Sequence, residues 1–279
     1  MRPNLTICGV ALLLASLAAA TPAGAEETVE QIRARGGCPG CDLRLATLRR
    51  LDIPDADFTG AVLREADLKY AKLPGARLSR ADLQRAEIEQ ADLTGADFSG
   101  ANMRAADLEK ARLTGARFIR ADLREADFAE AELDGADLSD ADLRGALLRR
   151  ASAAGAIFRE AKLDDVDLER TMLERADFTG ARLPGADLDR VRAAGAVFRG
   201  ADLSAARFAS ADLSGADLTD ANLDGASLRR TNLSGADLTG VRRLDQRRLD
   251  LACGDAATRL PAGLSIRPCG TGNAPDSDG

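Results

Sequence analysis

Residues 96–135 read ADFSG-ANMRA-ADLEK-ARLTG-ARFIR-ADLRE-ADFAE-AELDG. Every unit of five opens on Ala, places Asp, Asn, Arg or Glu second, and holds Phe, Met, Leu or Phe again at its third position, here called the centre. The same frame runs from Cys41 to Gly240 as forty consecutive pentapeptides of the form A(D/N)(L/F)xx, without insertion or deletion. Of the forty centres, 38 are Leu, Phe, Ile or Met, and the two departures are Ala153 and Ala193. The opening residue is Ala in 34 of 40 units; the exceptions are Cys41, Leu51, Val166, Thr171, Val191 and Thr231, all able to point inward.

A period of five is neither the 3.6 of a helix nor the simple alternation of a long strand. It fits a short strand followed by a corner. The opening residue and the centre both point inward, the second residue points out between them, and the last two residues turn the chain. Pro74-Gly75 and Pro184-Gly185 occupy those two turn places, the signature of a type II turn. The phenylalanines then count the corners. All eight are centres, and Phe58, Phe98, Phe118, Phe158, Phe178 and Phe198 share one position modulo twenty. Phe128 and Phe208 fall ten residues out of phase, on the opposite wall of a four-sided coil. The six in phase are expected to stack as a ladder.

This tandem A(D/N)LXX pattern resembles the pentapeptide-repeat family, over 200 residues of the chain. The resemblance implies an all-β fold, a right-handed quadrilateral parallel β-helix. Its 200 residues at twenty per coil make about ten coils, and a strand spacing of about 4.8 Å gives a body roughly 48 Å long.

Solenoids need covered ends, because a bare terminal coil exposes unpaired backbone and apolar cross-section. The chain divides accordingly into a leader (1–25), a lead-in or cap (26–40), the repeat body (41–240), a C-terminal cap (241–269) and a polar tail expected to be disordered (270–279). The leader has an early Arg2, an apolar run from Leu5 to Ala20 and Ala23-Gly24-Ala25 before Glu26, which reads as a signal peptide cleaved near Ala25. Cys8 lies near the start of the apolar run rather than after it, so a lipoprotein reading is rejected. The run is shorter than a spanning helix, so no membrane span is expected after cleavage, and the mature protein is expected to be periplasmic or secreted. Beyond Val241 the register fails at Arg243, and Asp245 to Cys253 reads as a short helix with Asp245 as N-cap and Gly254 past its end. Ala252 to Cys269 resembles the C-terminal extension of exported pentapeptide proteins. Four cysteines remain after the leader, and two disulfides are expected in an oxidising compartment: Cys38 with Cys41 and Cys253 with Cys269. Cys38-Pro39-Gly40-Cys41 spans a solenoid corner rather than a strand-to-helix junction, so it is read as a structural clip; redox activity is the alternative.

The chain has no His and no Trp, and one Tyr. Without His, serine and cysteine triads have no base, and the usual metal ligand is missing. The carboxylates are encoded by the repeat and point outward, so ordinary ionisation is expected of them. No enzyme activity, cofactor or metal is expected. Losing Arg2 with the leader leaves 37 basic and 45 acidic side chains, a net charge of 37 − 45 = −8, which opposes direct nucleic-acid binding.

Two classes of function survive. One is a non-catalytic exported scaffold that is structural or binds a protein partner, with homo-oligomers forming through a terminal cap. The other follows family members that mimic DNA and bind DNA gyrase or topoisomerase; it implies a cytosolic site and a strongly acidic wall. Stacked positions Asp57, Arg77, Asp97, Arg117, Asp137 and, next to them, Asp52, Lys72, Asp92, Arg112, Glu132 alternate in charge and are assigned to register and solubility. A third wall does not alternate. Asp67, Glu87, Glu89, Asp107, Glu109, Asp127 and Glu130, with Tyr70 at their corner, form the candidate interaction surface, offset by Lys69 and Lys110.

Overall fold

A computed structural model describes residues 28–270. The leader and almost all of the expected tail lie outside the described residues. Each pentapeptide forms one wall of a square coil, and parallel bridges join outward residues twenty apart, from Asp42 and Val62 to Asn222 and Arg242. Wall 1 begins at Asp42, wall 2 at Thr47, wall 3 at Asp52 and wall 4 at Asp57.

The five N–H groups of one unit, Ala136 to Asp140, show why the repeat has this form. Ala136 donates to the Leu133 carbonyl across the corner (2.9 Å), Asp137 to Ala116 one coil earlier (2.9 Å), and Leu138 and Asp140 to Ile157 and Arg159 one coil later (2.7 and 2.9 Å). The fourth donor, Ser139, has no backbone acceptor; it donates to Oδ1 of Asp137 at 3.0 Å. Asp or Asn at the second position thus satisfies the donor that the backbone ladder leaves over. Thr59, Lys69, Glu109, Thr179 and Asp224 are held in the same way by Asp57, Asp67, Asp107, Asp177 and Asn222. Where Lys72 and Arg182 stand second, the fourth residue is Pro74 or Pro184, which has no N–H to satisfy.

The corner fixes the fifth residue. All forty have positive φ, as the third position of a type II turn requires, yet 24 of them are not glycine. All forty centres are buried, none above 7% exposure. Thr171 and Thr231, buried where Ala is usual, donate their hydroxyls to the Leu148 and Phe208 carbonyls at 2.7 and 2.8 Å.

The phenylalanine ladder is broken into runs. Phe98 stacks on Phe118 (4.9 Å), and Phe158, Phe178 and Phe198 stack at 4.6 and 4.9 Å. Leu78 and Leu138 interrupt the file, so Phe58 stands apart. Phe128 and Phe208 reach from the opposite wall and meet Phe118 and Phe198 edge-on, at 5.9 and 6.3 Å.

Both ends are closed. Helix α1 (Val29–Arg35) has a capping box between Thr28 and Gln31 and ends on Gly36 in the left-handed conformation. Its Ile32 is buried in the core cluster. Helix α2 (Gln246–Leu249) is shorter than the helix expected over Asp245 to Cys253: Asp245 caps it, but it ends at Asp250. The chain then re-enters the solenoid register. Cys253 bridges Asn232, Arg259 bridges Asp237, and Ala252 is buried as an inward residue. The cap is therefore part of a further coil with α2 looped out of it. Disulfides join Cys38 to Cys41 and Cys253 to Cys269, with Cα atoms 5.5 and 4.8 Å apart.

Candidate interaction surface

Wall 2 and the corner that follows it carry the candidate residues. Asp67, Glu87, Asp107 and Asp127 bridge one another in sequence along the wall, so four carboxylates stack on neighbouring strands without an interposed cation. Glu89 and Glu109 follow two residues later, and Tyr70 and Glu130 sit on the corner. The fold brings all eight sequence-selected residues onto one face.

Their environments differ. Lys69 Nζ lies 3.1 Å from Glu87 and 2.7 Å from Glu89 Oε2, and bonds Glu89 Oε1 at 2.8 Å; these contacts, with Glu89 first, raise its pKa. Glu89 Oε2 is buried and, although close to that ammonium, has no aligned hydrogen-bond donor. Lys110 pairs with Glu109 and sits 3.8 Å from Glu130. Arg49 takes Asp67 at 3.2 Å, and Arg49 and Arg50 both lie over the Tyr70 ring, 5.6 and 5.8 Å from its centroid. Asp107 and Asp127 have no ion-pair partner among the described residues. Burial pushes the Asp107 carboxyl up, and Glu89 and Asp127 add to it against the Glu109 N–H. Arg49, Lys69 and Lys110 thus offset Asp67, Glu87, Glu89 and Glu109 and leave Asp107 and Asp127 without a cation.

Ordinary ionisation of the repeat carboxylates does not hold. Asp57 is lowered to about 2, first by the Arg77 side chain and then by Thr59. Asp177, Asp202 and Asp217 are half-buried, which opposes their charge, but the hydroxyl and N–H of the residue two places on, together with Arg159, Asn222 and Arg199 respectively, outweigh burial and lower all three. The alternating walls pair as their sequence suggests at Asp57–Arg77 (2.8 Å) and Asp92–Arg112 (3.1 Å). Others run diagonally, from a fourth residue to the second residue of the next coil, as in Arg64–Asp82 (2.5 Å) and Arg199–Asp217 (2.6 Å).

Corners differ in relief. The ten fifth residues after wall 3 include eight glycines, while those after wall 2 include none and are mostly long. Two grooves lie along this rugged edge. One, of about 210 Å³, is lined by Arg49, Lys69, Tyr70, Glu89, Glu109 and Lys110 beside the acidic patch. The other, of about 420 Å³, lies farther along, between Ala129 and Arg170. No group of three or more His, Cys, Asp or Glu among the described residues is placed to hold a metal ion, and no described helix is long and apolar enough to cross a membrane.

The family model for pentapeptide repeats matches eight copies in segments that run from residue 38 to residue 242. The chain belongs to the pentapeptide-repeat family. Among solved structures, this pentapeptide-repeat protein is similar to HetL from the cyanobacterium Nostoc sp. strain PCC 7120, described as involved in heterocyst differentiation regulation. The two are 29% identical with a TM-score of 0.51, covering 84% of this chain and 100% of HetL. It also matches QnrB1, a plasmid-mediated fluoroquinolone resistance protein, at 24% identity and TM-score 0.35, over 68% of this chain and 90% of that one. Rfr23 from the cyanobacterium Cyanothece 51142 matches at 28% identity and TM-score 0.29, over 41% and 64% of the two chains. A search of curated proteins gives no match.

Proposed function

We propose that this pentapeptide-repeat protein is an exported, non-catalytic scaffold that holds a basic protein partner on wall 2. The observation that carries the reading is the uninterrupted stack Asp67, Glu87, Asp107, Asp127. On the other walls no more than two carboxylates bridge in succession among the described residues, as at Asp122–Asp142 and Asp217–Asp237. Here four coils keep the stack, although the Asp107 carboxyl is held at a cost in ionisation. A fixed row of like charge on a rigid rod creates a local field that attracts a cationic surface. Export rests on the leader, with its apolar run and small-residue cleavage site. DNA mimicry is disfavoured by basic side chains on every wall, such as Arg182, Arg207, Arg192 and Arg117.

The test replaces Glu87, Glu89, Asp107 and Glu109 with Lys and compares capture of basic proteins from a periplasmic extract. An unchanged circular dichroism spectrum with loss of the captured partner is expected. If both proteins retrieve the same set, wall 2 is not the binding surface. Cell fractionation with N-terminal sequencing checks export: the mature chain should begin near Glu26 outside the cytoplasm, and a full-length cytosolic product would overturn it.

A further inference from the structure

The sixth coil breaks the rule of wall 2. Leu147 stands in the outward file between Asp127 and Asp167, bridging both, and is 37% exposed. Where Asp stands second, an Arg at the fourth position pairs with it, as Arg44 does with Asp42, Arg124 with Asp122 and Arg144 with Asp142. With leucine second, Arg149 takes the diagonal course of Arg64 and Arg199 and reaches forward to Asp167, which leaves the Leu147 side chain itself unpaired in the outward file. Arg150, on the adjoining corner, has no side-chain partner among the described residues. One coil on, Arg170 is 3.7 Å from Glu169, whose carboxylate already bonds Arg190 at 3.0 Å.

These side chains stand around the larger groove. It is lined by Ala129, which is short for a fourth position, and by Glu130, Arg149, Arg150, Glu169 and Arg170. The site therefore combines an unspent guanidinium, a second held only at long range, a concave seat and an exposed leucine on the adjacent wall. In a chain with a net charge of −7 before leader removal, an acidic ligand gains little from the overall field. It gains only where cations are locally unbalanced. A guanidinium takes a carboxylate by two parallel hydrogen bonds, which fixes direction as well as charge. An exposed apolar side chain beside it covers an apolar neighbour of that carboxylate.

We infer that the groove between Ala129 and Arg170 is a second binding site, which takes a peptide segment presenting an acidic side chain next to an apolar one. The carboxylate meets Arg150 and Arg170, and the apolar residue lies on Leu147. The site adjoins the far end of the acidic stack, at Asp127 and Glu130, but has the opposite preference, so it goes beyond the proposed capture of a basic partner and does not depend on it.

A fluorescent peptide array of acidic–apolar decamers, such as alternating Glu and Leu, tests this with the intact mature protein. Matched arrays with Lys for Glu, and with Ser for Leu, serve as controls. Saturable binding of acidic–apolar peptides is expected, weakening with salt and falling about tenfold or more on Arg150→Glu. Leu147→Asp restores the residue type usual in this file, so the fold should hold while binding falls comparably. The Lys-reversed wall 2 variant should keep this binding, which separates the two readings. Absence of saturable binding across the array, or binding that both Arg150→Glu and Leu147→Asp leave unchanged, overturns the inference. So does a preference for a sulfated polysaccharide that ignores Leu147→Asp, because that response needs charge alone.

Discussion

The side-chain amide of Asn102 donates to Oδ1 of Asp82, one coil away, at 3.1 Å. Asn222 and Asn232 do the same for Asp202 and Asp212, at 2.9 and 3.0 Å. Each Asn also accepts the N–H of the residue two places on, as Asp does. An Asn in the outward file is therefore a neutral rung: it keeps the turn bond and replaces repulsion between carboxylates with a hydrogen bond.

Asp107→Asn should accordingly stabilise the protein at pH 7. Asp107 lies between Glu87 and Asp127, its turn bond to Glu109 is one Asn also makes, and its pKa is raised, so the fold disfavours its charge. Removing like charges from adjacent strands is worth a few tenths of a kcal/mol. A raised carboxyl pKa costs stability above that pKa, and the cost disappears as the pH falls and the wild type protonates. Thermal melts should show the variant ahead at pH 7 and level with wild type in acid. An equal advantage at both pH values would show that charge is not the cause.

Asp57 has the opposite sign. Its pKa of about 2 lies below the unfolded value near 3.9, so its contribution is present above pH 4 and is lost as the pH falls towards 2. Asp57→Asn keeps an acceptor for Thr59 but loses the charge on Arg77. Because Asp57 is 30% exposed, solvent screening limits the expected loss to about 0.5–1 kcal/mol at pH 7. The difference from wild type should shrink as the pH approaches 2 and vanish below it. Persistence of the full difference there would assign it to packing.

Much of this fold is legible in the sequence because the core repeats in register. The period of five places Ala116 and Phe118 inward, and the phase of the phenylalanines closes the coil at four walls. The role of Asp137 is not legible in that way. An outward Asp reads as solvated until the N–H accounting shows Ser139 without a backbone acceptor. The cap escapes for a different reason: α2 adds residues before Cys253, so the match to Asn232 is 21 residues back and that of Arg259 to Asp237 is 22. A fixed period cannot see a resumed register with an insertion. Wall 2 was visible as a row of acids, but not the reach of Lys69 to Glu87 and Glu89, nor the consequence of Leu147 for Arg149 and Arg150.

Phe118→Ala should cost about 3–5 kcal/mol, since the ring is fully buried, stacked on Phe98 and met edge-on by Phe128. Collapse of nearby leucines is restricted because each wall is tied to the coils on either side. Denaturant unfolding monitored by circular dichroism measures the loss. A cost below 1 kcal/mol would mean that the core relaxes freely around the gap.

Ala105 and Gly95 test the corner. Both hold φ above zero, +54° and +68°, and a Cβ built on Gly95 meets nothing within 4 Å. Left-handed backbone costs an L-residue about 1–2 kcal/mol, and glycine gives back roughly 0.5–1 of that in chain entropy. Ala105→Gly should therefore stabilise by about 0.5 kcal/mol, and Gly95→Ala should destabilise by a similar amount. Changes of the same sign in both would contradict backbone strain as the cause.

The C-terminal disulfide should matter most to the coil beneath it. Cys253 bridges Asn232 on wall 3, and its partner Cys269 stands sixteen residues on, next to Pro268, which bridges Gly254. Closing a loop of that length is worth about 3 kcal/mol in the chain-entropy model. A solenoid's units contact only their neighbours, so loosening the cap exposes the last coil first. The double variant Cys253→Ser, Cys269→Ser should lose that stability. Amide exchange should speed up from Leu223 to Leu238 while Ala96 to Leu138 stays protected. Mass spectrometry of the alkylated, non-reduced mature protein should find no free thiol. If fast exchange spreads evenly through the rod, the solenoid unfolds as a single unit and the cap does not guard one end.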